Sequence, residues 1–204
     1  MHEAVDVFGA DCFGVQVDVS DREQVEAAAA RVVDKWGGID VVVNNAGLHR
    51  GGRVGKLDPD DWQAVLDTNL GGALNVIRSA QPHFGKSASI VNVGAVVGFR
   101  GFPGDSAYAA SKSGLAGLTR ALAIEFARDG TCVNLVIPGL VLTEMTGELS
   151  EKALESMRKT IPLGRYGEAD EIAQVICSVA ESRYMTGAFV PVDGGLMSSF
   201  GIPG

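Results

Sequence analysis

Strand-length apolar runs alternate with helix-length amphipathic stretches along this chain, and that alternation restricts the fold more than any single residue does. The runs "IDVVVNNAG" over 39–47, "SIVNVGAV" over 89–96 and "CVNLVIPG" over 132–139 are apolar at successive positions. Both faces of such strands need cover, as in a parallel sheet between helices. Two more segments, "CFGVQVDV" over 12–19 and "AFVPVDGG" over 188–195, read as strands at either end. The expectation is an α/β fold: a doubly wound parallel sheet flanked by helices. In such sheets ligands bind at the carboxyl ends of the strands.

Helix boundaries follow from capping chemistry. Ser20 and Glu23 form a capping box that opens a helix running to Trp36, with Gly37 and Gly38 as its stop. Asp58 and Pro59 open a long helix that carries Trp62, Val65, Leu66, Leu70, Leu74 and Ile77 at helical spacing. A third helix runs from about Ser106 to Arg128, with Leu115, Leu118, Leu122 and Phe126 on one side and Gly130 at its end. Two shorter helices are expected near 150–159 and 168–182. The first ten or so residues read as the tail of a helix leading into the strand at 12–19. No two glycines are separated by one residue, so the G-x-G-x-x-G phosphate turn is absent from this sequence. The Gly98, Gly101, Gly104 series reads as a flexible loop instead.

Composition excludes several classes. A net charge of −8 argues against nucleic acid or an anionic membrane as partner. Cys12, Cys132 and Cys177 are scattered and odd in number, so they suggest neither a disulfide framework nor a metal cluster. His2, His49 and His83 offer no ligand spacing, and no metal is expected. There is no apolar run of membrane-spanning length and no basic segment leading into an apolar one at the start, so a cytoplasmic setting is expected.

Tyr108 and Lys112 stand four residues apart, one helical turn, on one face. An ammonium close to a phenol stabilises the phenolate, which would lower its pKa and make Tyr108 a general acid or base. By itself the pair is better explained by a tyrosine packed on a lysine stem. Asn69 interrupts an apolar helix face, where propensity disfavours it.

Six motifs in order give the pair a context: "DVS" at 18–20, "NNAG" at 44–47, "TN" at 68–69, "YAASK" at 108–112, "PGLVLT" at 138–143 and "DGG" at 193–195. Together they resemble the short-chain dehydrogenase/reductase family from about the second helix of its fold to the C-terminus. Within that family the stretch from Gly101 to Ala127 is most similar to the bacterial 3-oxoacyl-acyl-carrier-protein reductases and to related sugar or alcohol dehydrogenases. The resemblance implies a Rossmann-like fold, a single domain over 1–204, and a reaction that interconverts a small-molecule carbonyl and an alcohol with NAD or NADP. Tyr108 would move the proton. Lys112 would lower its pKa and hold the nicotinamide ribose, and the backbone carbonyl of Asn69 would hold a relay water. Asp18 and Val19 would meet the adenine, and Asn44, Asn45, Ala46 and Gly47 the ribose, though Asn44 serves equally as a hydrogen bond across the sheet. Pro138, Gly139, Val141 and Thr143 would face the nicotinamide.

Two departures qualify this. The family's carbonyl-polarising serine aligns with Ala95, which has no donor; loss of one such donor costs about 10²–10³ in rate. The family's first strand, its glycine-rich turn and its second strand, which grips the adenosine ribose, are not in the sequence, which leaves the strand from Ile39 as an exposed edge and implies weak or absent cofactor binding. The competing reading is a non-catalytic homologue that serves as a binding or assembly subunit. In either case the resemblance implies a homodimer or homotetramer, since in that family the long helices corresponding to 60–80 and 106–128 pair across a twofold axis.

Overall fold

The computed structural model describes residues 9–142 and 151–199. Four strands form one parallel sheet in sequential order: β1 (Ile39–Asn44), β2 (Phe84–Val93), β3 (Cys132–Pro138) and β4 (Phe189–Val192). Between them lie α1 (Arg22–Trp36), α2 (Pro59–Leu66), α3 (Gly72–Ala80), a short α4 (Val97–Arg100), α5 (Ser106–Glu125), α6 (Glu151–Arg158) and α7 (Ala169–Glu181). Among the described residues no helix is long and apolar enough to cross a membrane.

The apolar runs explain the layers. Along β2 and β3 alternate residues face opposite ways. Ile90, Val133, Leu135 and Ile137 pack against Ile77 of α3 and Leu115 and Leu122 of α5. Val91 and Val136 pack against Ile172, Val179 and Ala180 of α7 on the other face. Ile77, Ile90, Leu115, Leu135 and Ile137 are each at most 1% exposed, and each such burial contributes roughly 1.5–3 kcal/mol. β1 is the edge the sequence anticipated. Its outer side has no strand partner among the described residues, and Val41 and Val43 are 45% and 42% exposed.

Three expectations are corrected. The strand over 12–19 does not form. Among the described residues no strand lies beside that segment to share a ladder, and it is fastened by side chains instead: Asn75 Nδ2 of α3 donates to the carbonyls of Val19 and Ser20, at 3.0 and 3.4 Å. Val19 packs so closely on Gly72 that a Cβ there would lie 2.6 Å from its Cγ2. The capping box at Ser20 and Glu23 is also displaced. Asp18 Oδ1 takes both the N–H and the hydroxyl of Ser20, so the cap falls to Asp21, whose carboxylate accepts from the backbone of Glu23 and Gln24. Finally, β2 ends at Val93, not residue 96: Gly94 N and Val96 N still donate to Val136 O and Pro138 O, but the chain turns at Val96 into α4. The stops at Gly37 and Gly130 are left-handed, with φ of 81° and 73°, as a C-terminal glycine allows. The segment 1–8 lies outside the described residues.

Candidate active site

The carboxyl ends of β1, β2 and β3 converge on one place. β2 stops at Val93, whose carbonyl accepts a hydrogen bond from Lys112 Nζ at 2.8 Å. β3 stops at Pro138, whose carbonyl accepts from Val96 N at 3.1 Å, bringing the turn that carries Ala95 beside Pro138 and Gly139. Gly139 is closely packed: an added Cβ would lie 2.6 Å from Asp193 Cα. Beneath this floor Asn44 Nδ2 donates to Asn92 Oδ1 at 2.8 Å, and Asn92 Nδ2 donates to Thr119 Oγ1 at 2.9 Å. All three are buried, so Asn44 is a tie between β1, β2 and α5.

The long helix expected from Asp58 is interrupted around Asn69, the residue that breaks its apolar face. Residues Asp67–Gly71 form a π-helical turn between α2 and α3, a feature frequent at functional sites. Asn69 is 2% exposed, and its side chain joins three segments. Nδ2 donates to Leu48 O and to Ser111 Oγ, both at 3.0 Å, while Oδ1 accepts from Leu48 N at 2.7 Å. The loop after β1 is thereby fixed to α5. Ser111 also donates to the carbonyl of Tyr108 at 2.8 Å, so it is not free to replace a serine at position 95.

Tyr108 and Lys112 share a face of α5 as their spacing requires, with Nζ 5.6 Å from the centre of the phenol ring. The expected lowering of the tyrosine's pKa is not found. Burial raises it, and the nearby Asp105 carboxylate raises it further. Burial brings the lysine down to about 8. Both groups lose hydration, and for each that disfavours the charged form. No hydrogen bond engages the Tyr108 hydroxyl among the described residues. Lys112 Nζ uses one of its three N–H groups on Val93. The others can meet acceptors such as the hydroxyls of a ribose. A Cβ on Gly47 would point to within 3.6 Å of Nζ and 3.7 Å of Asn69 Oδ1, into the space beside the ammonium. These residues fit the nicotinamide end of a dinucleotide.

The residues expected to meet the adenine and its ribose form less of a site. Val19, Asn45 and Ala46 line one cleft with Thr68 and Gly72, but it holds only about 70 Å³. Asp18 is exposed, its carboxyl held below its usual range by the hydrogen bonds from Ser20. Val141 bridges to Gly167, and Thr143 lies outside the described residues. A larger cleft of about 480 Å³ opens beyond β3 and β4, between Leu140, Ile161, Tyr166 and Asp193. Neither Tyr108 nor Lys112 lines it. Its charged pair, Arg165 with Glu171, is solvent-exposed and closed on itself at 2.6 Å, so the chemistry is assigned to the Tyr108 cluster.

Sequence reading passed over two residues here. His49 Nε2 lies 3.0 Å from Asp105 Oδ1. The His49 ring meets that of Tyr108 edge-on, with centroids 5.2 Å apart and planes at 79°. The available signal was Asp105, one helical turn before Tyr108.

Comparison with known proteins decides the family. The family described as enoyl-(acyl carrier protein) reductase matches residues 1–197. The 3-oxoacyl-(acyl-carrier-protein) reductase FabG of Thermotoga maritima is 45% identical over 185 residues, 89% of this chain and 75% of its own length. This chain belongs to the short-chain dehydrogenases/reductases. The Staphylococcus aureus reductase of the same name is 38% identical over 95% of the chain and 80% of its own length. Among solved structures, a blue fluorescent protein from a metagenomic library in complex with NADPH superposes with a TM-score of 0.84 at 35% identity. It is matched over 74% of its length and 89% of this chain. A putative short-chain alcohol dehydrogenase from Sinorhizobium meliloti gives 0.86 at 33% identity, over 76% of its length and 91% of this chain. The family is one of NAD(P)-dependent oxidoreductases, and the parallel sheet between helices is its Rossmann-like fold.

Proposed function

We propose that the chain reduces the carbonyl of a small 3-oxoacyl-type substrate to the alcohol, slowly, with Tyr108 as the proton donor. The observation that carries this reading is the unengaged Tyr108 hydroxyl beside the buried Lys112 ammonium. A phenol whose pKa is raised by burial keeps its proton at neutral pH, which suits it to protonate the oxygen of a carbonyl under reduction. Lys112 and the backbone around Gly47 would hold the nicotinamide ribose, and Asn69 fixes both walls of the site. A bound NADPH or NADH supplies hydride. NADPH in the metagenomic relative and the reductase names of the similar proteins support cofactor and substrate class.

Weak cofactor binding is part of the proposal, because the adenosine cleft is far smaller than the several hundred Å³ a ligand site offers. Ala95 favours a second reading, an assembly subunit without turnover. Titration with NADPH, followed by assay against a panel of carbonyl thioesters, ketones and sugars, separates the two. Binding weaker than low micromolar with slow turnover of the thioesters supports the enzyme. A saturated complex that reduces none of the panel overturns it.

A further inference from the structure

We propose that His49, oriented by Asp105, is a further catalytic residue. It donates a hydrogen bond to the substrate oxygen above Tyr108, the contact that the methyl of Ala95 cannot make. This rests on the carbonyl-reductase reading.

Three observations converge. First, the His49 and Tyr108 rings meet edge-on with centroids 5.2 Å apart, placing a nitrogen-bearing ring beside the residue that would deliver the proton. Second, Asp105 engages only Nε2, leaving Nδ1 without a partner among the described residues, and the His49 side chain is 35% exposed. Third, the backbone is built to hold the pair. Gly52 N donates to Gly104 O at 2.8 Å, locking the loop after β1 onto the turn before α5. A Cβ on Gly51 would lie 3.3 Å from both Gly104 O and His49 Cε1, and 3.5 Å from Asp105 Oδ1. A larger residue at 51 would therefore press on the clamp.

The chemistry is specific about protons. With Nε2–H given to the carboxylate, Nδ1 donates only when the ring carries both protons. The groups facing the ring are Asp105 and Tyr108. Lys112 lies 5.6 Å from the Tyr108 ring centre, and the neighbouring Arg50 is paired with Asp61. The contact to the substrate oxygen is therefore one that the doubly protonated ring makes. In reduction, hydride goes to the carbonyl carbon and the Tyr108 proton to the oxygen. The Nδ1–H hydrogen bond steadies the developing alkoxide and is not transferred.

The test is a double-mutant cycle on the full chain. His49→Phe keeps an aromatic ring and removes the donor. It should lower kcat for a short 3-oxoacyl thioester by about 10–10²-fold. In the Ala95→Ser background, where a hydroxyl supplies the contact, the loss should shrink to under about threefold. Equal losses in both backgrounds overturn the proposal and make His49 a packing residue. A second readout needs no turnover. The chain has three histidines, so ring-nitrogen spectra are readily resolved. Adding the thioester with NADPH should shift the Nδ1 signal of His49, and Asp105→Asn should abolish that shift. An unmoved Nδ1 signal refutes the contact whatever the rate; a shift without turnover retains the contact and refutes only the reductase reading.

Discussion

Replacing Lys112 with methionine tests the electrostatics of the site without any substrate. The residue is 3% exposed, and its burial holds the pKa at about 8 against an ordinary 10.5. Between those values the unfolded chain binds more protons at this position than the folded one. Stability therefore rises with pH across that window, and the penalty for burying the charge is fully present only below it. With those two values the relief from about pH 7.5 to 9.5 is roughly 2 kcal/mol. Methionine has similar length and no charge. It strands the Val93 carbonyl at a cost of about 1–3 kcal/mol that does not depend on pH. Urea unfolding of both proteins at the two pH values gives the comparison, because titrations of the other groups largely cancel in the difference. Work below about pH 10 avoids Tyr108, whose raised pKa has the opposite sign: its contribution is lost as pH rises past the unfolded phenol. The wild type should gain about 2 kcal/mol on the variant over the interval. A difference that stays flat would refute the claim that Lys112 is held charged against burial.

The buried hydroxyl of Ser89 has no hydrogen-bond partner among the described residues, so Ser89→Ala should be neutral or stabilise by up to about 1 kcal/mol in the same unfolding assay. Asn92→Ala strands both Asn44 and Thr119 and should cost about 2–4 kcal/mol. The apolar helix positions Ile77, Leu115 and Leu122 are spent in the core, whereas Trp62, Leu74 and Ile124 on α2, α3 and α5 are 36%, 38% and 79% exposed, so a dimer or tetramer built on these helices is expected to use the exposed three. Sedimentation should show an oligomer that Leu74→Lys with Ile124→Lys dissociates; a wild-type monomer at micromolar concentration contradicts it.

How legible the chain was depended on whether the cause was local. β1 through β4 could be read because strands apolar on both faces have few other fates, and Asp58 with Pro59 marked the start of α2. The segment 12–19 looks like a strand by the same criterion, yet a strand exists only with a neighbour, and propensity carries no information about one. The cap of α1 moved by one residue because Asp18, two positions earlier, takes Ser20. Tyr108 and Lys112 were found because four residues is a helical distance. The direction of the tyrosine's pKa was not, since it depends on how far burial outweighs a neighbouring charge. His49 and Asp105 are 56 residues apart and meet only through the clamp at Gly52 and Gly104. Nothing periodic announces such a pair.

The central claim is that Tyr108 protonates a carbonyl oxygen while reduced nicotinamide delivers hydride. It is tested most directly by single-turnover transfer from NADPH deuterated at the transferable position, at saturating cofactor, to a short 3-oxoacyl thioester. Mass spectrometry of the hydroxyacyl product reads the transfer. The wild-type chain should form product carrying one deuterium, and Tyr108→Phe should form it about 10²–10⁴-fold more slowly. Labelled product appearing at the same rate from both proteins would contradict the account.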